Sequence, residues 1–168
     1  MVRIITKIGD VFSVKIDENN KKYFQLIAFD LTQLNSDVIR SFKKNYAIDS
    51  KPDLLEIIKG EIEFYAHCIT KLGVKLGHWE KIGNIKEIGY LNHILFRGTS
   101  DYARKIGEER VKVSEKWYVW NINDEDYTRV GKLKGDNQKA EIGMVMSPDN
   151  IVCRMRTGEY GLKKYPGY

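Results

Sequence analysis

The chain has 168 residues, 42% of them hydrophobic and 30% charged, which suits one domain and excludes low-complexity and fibrous architectures. A net charge of +5 and a pI near 9.0 admit an acidic partner, but the excess is spread evenly. Only the pairs Lys21-Lys22, Lys43-Lys44 and Lys163-Lys164 break the mixture, so the charge reads as a solvated lysine-rich surface, not a basic tail.

No apolar run approaches the ~20 residues of a membrane helix. Residues 1–6 lack the apolar stretch of a secretory signal, which predicts a cytoplasmic protein with Cys68 and Cys153 as free thiols. There is no repeat and no flexible linker, and Pro52, Pro148 and Pro166 all sit at element boundaries, so residues 1–168 are read as a single domain.

In residues 11–17, Phe12, Val14 and Ile16 alternate with Ser13, Lys15 and Asp17, the period of a half-buried strand. Glu18, Asn19, Asn20 and Lys21 supply a turn. Residues 23–29 are apolar on both faces and read as a central strand covered on both sides. Residues 36–46 fit two periods. Val38, Ile39, Phe42 and Tyr46 have helical spacing, but Val-Ile is also strand material, and the preceding Asn/Asp-rich loop favours a strand. Asp53 caps a short helix over residues 54–59, with Gly60 in the left-handed position beyond it. Residues 61–71 form the cleanest strand. Ile62, Phe64, Ala66 and Cys68 share the core face, and Glu63, Tyr65, His67 and Ile69 share the outer one.

Gly73, Gly77, Gly83 and Gly89 break residues 72–90 into short turns around Trp79. Strands follow at 93–97, 116–123 and 140–146. In the second, Trp117 and Val119 oppose Tyr118, Trp120 and Ile122. The last element is a helix begun by Ser147, Pro148 and Asp149 and ended by Gly158. It points Ile151, Val152 and Met155 inward and leaves Arg154 and Arg156 nearer solvent or a partner. The expected fold class is α+β: a β-dominated, strongly bent antiparallel sheet or half-open barrel with two short helices.

No catalytic signature emerges. His67 and Cys68 are adjacent on a strand and point to opposite faces, and His78 and His93 have no metal-ligand spacing, so no metal site is expected. Cys68 faces the core and Cys153 a helix interior, poor places for a nucleophile. Glu61/Glu63, Glu108-Glu109 and the 124–126 run read as solvated carboxylates. The chain has neither G-x-G-x-x-G nor G-K-[ST], so no cofactor or nucleotide cradle is expected. Aromatic residues are the richest resource. One ring set of residues 116–120 must fill the core, and the other is free to stack on bases or anchor a protein. Tyr160, Tyr165 and Tyr168 crowd a tail that looks exposed or docks on the body.

The opening Lys7-Ile8-Gly9-Asp10-Val11-Phe12-Ser13-Val14, followed by a hairpin into Tyr23-Phe24-Gln25-Leu26-Ile27, resembles the start of the bacterial immunity protein 26 family. Trp79-Glu80-Lys81-Ile82-Gly83 is similar to that family's tryptophan-to-glycine segment. The likeness covers about the first 90 residues, and residues 91–168 have no counterpart in it. It implies a non-enzymatic cytoplasmic protein that binds a cognate toxin, with no catalytic residue to carry over. The basic charge argues against a nuclease as that toxin. The expected partner-binding residues are Tyr65, His67, Trp117, Tyr118 and Trp120, occluding a toxin's active site. The alternative is a nucleic-acid-binding module that uses sheet aromatics and scattered Lys/Arg.

Overall fold

The computed structural model describes residues 3–102 and 105–168. Met1 and Val2, the start of the stretch read against a secretory signal, lie outside the described residues. The alternating residues of 11–17 form β1 (Asp10–Lys15), antiparallel to β2 (Asn20–Asp30). Asp17 ties the turn between them, its Oδ1 accepting from Asn19 N and Asn20 N at 2.8 Å. Most of β2 is buried on both faces. The ambiguous segment is a strand, β3 (Ser36–Phe42), with Val38 and Ile39 buried on opposite faces. The two-residue β4 (Tyr46–Ala47) pairs with the start of β2. Helix α1 (Leu54–Ile58) is capped by Asp53, which accepts from Leu55 N at 2.8 Å. It ends on a right-handed Lys59, and Gly60 does not take the left-handed geometry expected of it.

The chain continues through β5 (Ile62–Cys68), α2 (Thr70–Leu76), β6 (Glu80–Asn84), β7 (Leu95–Thr99), β8 (Trp117–Asn121), β9 (Thr128–Gly131), a 3₁₀ turn (Gly135–Lys139), β10 (Glu141–Ile142), β11 (Val145–Met146) and α3 (Pro148–Thr157). The main sheet has the order β11-β5-β3-β2-β1-β6, with β4 beside β2. The second has the order β10-β7-β8-β9. All pairings are antiparallel except β11 with β5 and β10 with β7. Register shifts with an extra residue in β2 (Ile27), β5 (Glu63) and β6 (Ile82) bend the main sheet. The architecture is β-dominated α+β, with two sheets that do not close into a barrel and three α-helices where two were expected. The single strand expected over 140–146 divides in two, one piece joining each sheet.

The additional helix is α2. Residues 72–90 read as turns because the supports of α2 are remote in sequence. Asp37 Oδ2 of β3 accepts from Thr70 N at 2.8 Å and from the Thr70 hydroxyl, capping the first turn in place of a local residue. Gly73 leaves room for the Trp79 indole, since a Cβ there would stand 2.0 Å from the ring. Trp79 Nε1 donates to Thr70 O at 2.8 Å. The α3 signals hold: Ser147 Oγ accepts from Asn150 N, Pro148 opens the helix, and Gly158 ends it with φ 88°.

Four layers result. Phe12, Phe24, Leu26, Phe64 and Cys68 cover one face of the main sheet together with Trp79 and with Ile151 and Met155 of α3. On the opposite face, Val11, Tyr23 and Phe42 pack on α1, and farther along Ile27 and Val38 pack on Ile94, Phe96 and Trp120 of the second sheet. The outer face of the second sheet, with Trp117 and Val119, lies under Leu133, Ala140 and Tyr165.

Candidate functional site

The parity expected of β5 holds from Phe64 to Cys68 but not at Ile62, which a bulge at Glu63 turns onto the opposite face beside Val11 and Phe42. Phe64, Ala66 and Cys68 enter the α3-side core, and Tyr65 and His67 point the other way. That other face is not solvent, because the second sheet lies over it. His67 is 0% exposed, as buried as Cys68, and its ring centroid is 4.2 Å from that of Phe96. Trp117 and Trp120 are 1% and 4% exposed on the two faces of β8, each filling a core. His67, Trp117 and Trp120 therefore offer no contact surface, and the two tryptophans present no face on which a base could stack. Tyr65 and Tyr118 are half-buried, and the Tyr118 ring lies 4.4 Å from Tyr127. In the tail, Tyr160 is buried and only Tyr168 is exposed. Of the two settings expected for Arg154, solvent or a partner, solvent does not apply, because the side chain is held within the chain. Glu141 clasps it at 2.7 and 3.3 Å, and its guanidinium sits over the Phe64 ring. Glu61 and Glu63 do not act as a pair: each binds its own lysine, Lys43 at 3.0 Å and Lys22 at 2.9 Å.

The arrangement nearest to catalytic chemistry is sealed in the core. Ser36 Oγ lies 2.9 Å from His67 Nδ1, and His67 Nε2 lies 3.7 Å from Asp30 Oδ2. All three side chains are buried, Ser36 being the most exposed at 8%. Asp30 Oδ1 is engaged by Thr32 and Gln33. Burial drives the His67 pKa down to about 4 against the opposing pull of Asp30, so the ring is neutral at physiological pH. With no substrate face, this trio serves as a polar tie between β2, β3 and β5. Among the described residues no group of three or more His, Cys, Asp or Glu converges on a metal-sized site. Both cysteines are free, and burial pushes the Cys68 thiol well up, away from reactivity.

A built surface exists elsewhere, on the linker of residues 85–94 that carries the chain from β6 to β7. Two buried polar side chains hold it from below. Gln25 Nε2 donates to Ile85 O at 2.9 Å and Glu87 O at 3.2 Å, while its Oε1 accepts from Arg40 Nε at 2.9 Å. Arg40 Nη2 donates to Glu87 O at 3.0 Å. Gly89 takes φ +77°, and a Cβ there would meet Arg40 Nη1 at 2.4 Å, so the chain crosses the guanidinium at close range. On this support the rings of Tyr90 and His93 stack 5.8 Å apart and 5° from parallel. His93 Nε2 lies 3.3 Å from the Tyr65 hydroxyl. Tyr90 is 67% exposed. Beside the platform, a cleft of about 520 Å³ opens between the sheets, lined by Tyr65, His93, Leu95 and Glu141.

Of the expected binding residues, only Tyr65 belongs to this platform. Sequence reasoning passed over Gln25 and Arg40. The signal for Gln25 was a polar residue inside the apolar run of residues 23–29, which marks a specific buried partner. Arg40 lies among other polar residues of β3 and had no such signal. Among the described residues no helix is long and apolar enough to cross a membrane. No family model matches the chain, and neither the curated proteins nor the solved structures contain a match to it.

Proposed function

We propose that the chain is a non-enzymatic binding protein of the immunity type, which neutralises a cognate bacterial toxin by lying across its active site. The observation that carries this reading is the Tyr90–His93–Tyr65 platform, an exposed aromatic set on a linker pinned by Gln25 and Arg40. A ring held in place before binding loses little conformational freedom on contact, and tyrosine is among the residues that concentrate interface energy. The likeness of residues 7–14, 23–27 and 79–83 to the immunity protein 26 family supports the same reading. A cytoplasmic location and free thiols belong with it.

Co-expression with toxin domains encoded in the neighbourhood of its gene is the test. The expected result is rescue of growth and a complex that survives gel filtration, with rescue lost in Tyr90→Ala. No protection against any such domain, together with salt-sensitive retention on heparin, would overturn the reading in favour of nucleic-acid binding.

A further inference from the structure

A second cavity, of about 440 Å³, lies between β7, the segment around β10, α3 and the C-terminal tail. It uses none of the platform residues Tyr65, Tyr90 and His93, so its fate is independent of the toxin-binding reading. Arg97 of β7 forms one wall. Its Nη1 donates to Ala140 O at 2.6 Å, and the guanidinium sits over the rings of Trp117 and Tyr168, at 5.6 and 4.9 Å from their centroids. Its Nε is buried with no acceptor. Among the described residues no carboxylate pairs with Arg97, whereas Arg154 on the α3 wall is neutralised by Glu141 and Lys139 on the rim by Asp136.

Tyr160 and Tyr165 also line the cavity; their hydroxyls are buried beside the guanidiniums of Arg154 and Arg97 respectively, without a hydrogen bond of ordinary geometry. Seven buried side-chain nitrogen and oxygen atoms lack a partner among the described residues, and three of them belong to residues lining this one cavity. Burial pushes Tyr165 up to about 12 and raises Tyr160 as well, so both remain hydrogen-bond donors at neutral pH. Water can satisfy the hydroxyls and solvate the guanidinium, but none of water, the Ala140 carbonyl and the rings of Trp117 and Tyr168 supplies a counter-charge. An oxyanion answers both, and a guanidinium edge matches carboxylate and phosphate oxygens.

We infer that this cavity binds a small organic oxyanion, with the free edge of Arg97 and the Tyr165 hydroxyl holding its phosphate or carboxylate group. The volume lies within the range of small-molecule sites and exceeds the needs of a lone ion. The aromatic walls of Tyr160 and Tyr165, with Ile142 and Leu162, take the ligand's apolar body. Glu159 on the exposed rim disfavours ligands whose charge extends beyond one headgroup.

The test is titration calorimetry on the full chain at constant ionic strength, with phenyl phosphate and benzoate as probes for the two headgroups. Saturable binding of one or both is expected, and the tighter probe identifies the headgroup. Tyr165→Phe should weaken that binding about ten- to a hundredfold, the loss of one hydrogen bond to a charged group. It should leave the melting temperature without probe little changed, because the hydroxyl removed makes no hydrogen bond of ordinary geometry. Arg97→Lys, which keeps the charge but loses the fork, should weaken binding at least tenfold. Absence of saturable heat with both probes overturns the inference, as does equal affinity in wild type and Tyr165→Phe.

Discussion

On its α3 side the main sheet is buried mostly by carbon, with Phe12, Phe24, Phe64, Ile151 and Met155, and the buried polar side chains of Lys22 and Ser41 lie there opposite Val14 and Phe64. On the side that faces the second sheet and the linker it buries Gln25, Asp30, Arg40 and His67 among the apolar residues. The first face depends on shape and volume, and its side chains came from simple alternation and helical spacing. The second depends on hydrogen bonds, since an unpartnered polar group in a low-dielectric interior costs about 1–3 kcal/mol. Gln25 and Arg40 are tied in, while Asp30 Oδ2 and His67 Nε2 face each other at 3.7 Å without a bond. Polar ties of this kind also specify position. Gln25 and Arg40 accept only one path for residues 85–90, and that path sets the Tyr90–His93 rings in place.

The contrast can be broken from either side. The largest effect is expected on the apolar face, where Ile151→Asp sets an unpaired charge against Phe64 and Met155 and should cost roughly 3 kcal/mol or more in urea unfolding. Next comes a pH dependence confined to the polar face. Folded His67 has its pKa lowered to about 4 from 6.5, so below pH 6.5 the unfolded chain binds a proton that the folded one refuses. Stability present above that pH is lost as the pH falls from 6.5 toward 4, by about 3 kcal/mol in all. The difference in unfolding free energy between pH 7 and pH 4.5 should shrink in His67→Gln. An unchanged difference would mean that His67 does not carry the acid sensitivity.

Gln25→Ala sharpens the comparison further. It strips partners from Ile85 O, Glu87 O and Arg40 Nε, and should cost about 2 kcal/mol. Amide exchange should rise in residues 85–90 and stay unchanged in α3. The smallest effect belongs to Arg156→Ala at the edge of the α3 side. This exposed arginine donates through Nε to Ile16 O at 2.7 Å, so it is not merely solvated, yet its loss should shift the melt by less than about 1 kcal/mol.

Much of the framework was legible in the chain itself. The β1–β2 hairpin, the facing of β5 from Phe64 onward, the opposed faces of β8 and both ends of α3 follow from periodicity and capping, which act over a few residues. Even the Gly9-Asp10-Val11-Phe12 opening has a structural use. Asp10 is buried, accepting from Lys7 N, Asn84 Nδ2 and Lys81 Nζ at 2.8 Å and so tying β1 to β6, while Val11 and Phe12 enter opposite cores.

Tertiary structure alone decided which polar faces were covered. Glu63, Tyr65 and His67 alternate like a solvated face, and nothing local announces that Phe96 and Trp120 will lie over it. Asp37 caps α2 from 33 residues away, and Gln25 reaches Glu87 across 62. The local pattern sets which side of a strand a residue occupies. Whether that side meets water depends on contacts made only once distant segments pack, and for this reason His67, Trp117 and Trp120 are covered while Tyr90, at the end of a stretch read as turns, is exposed.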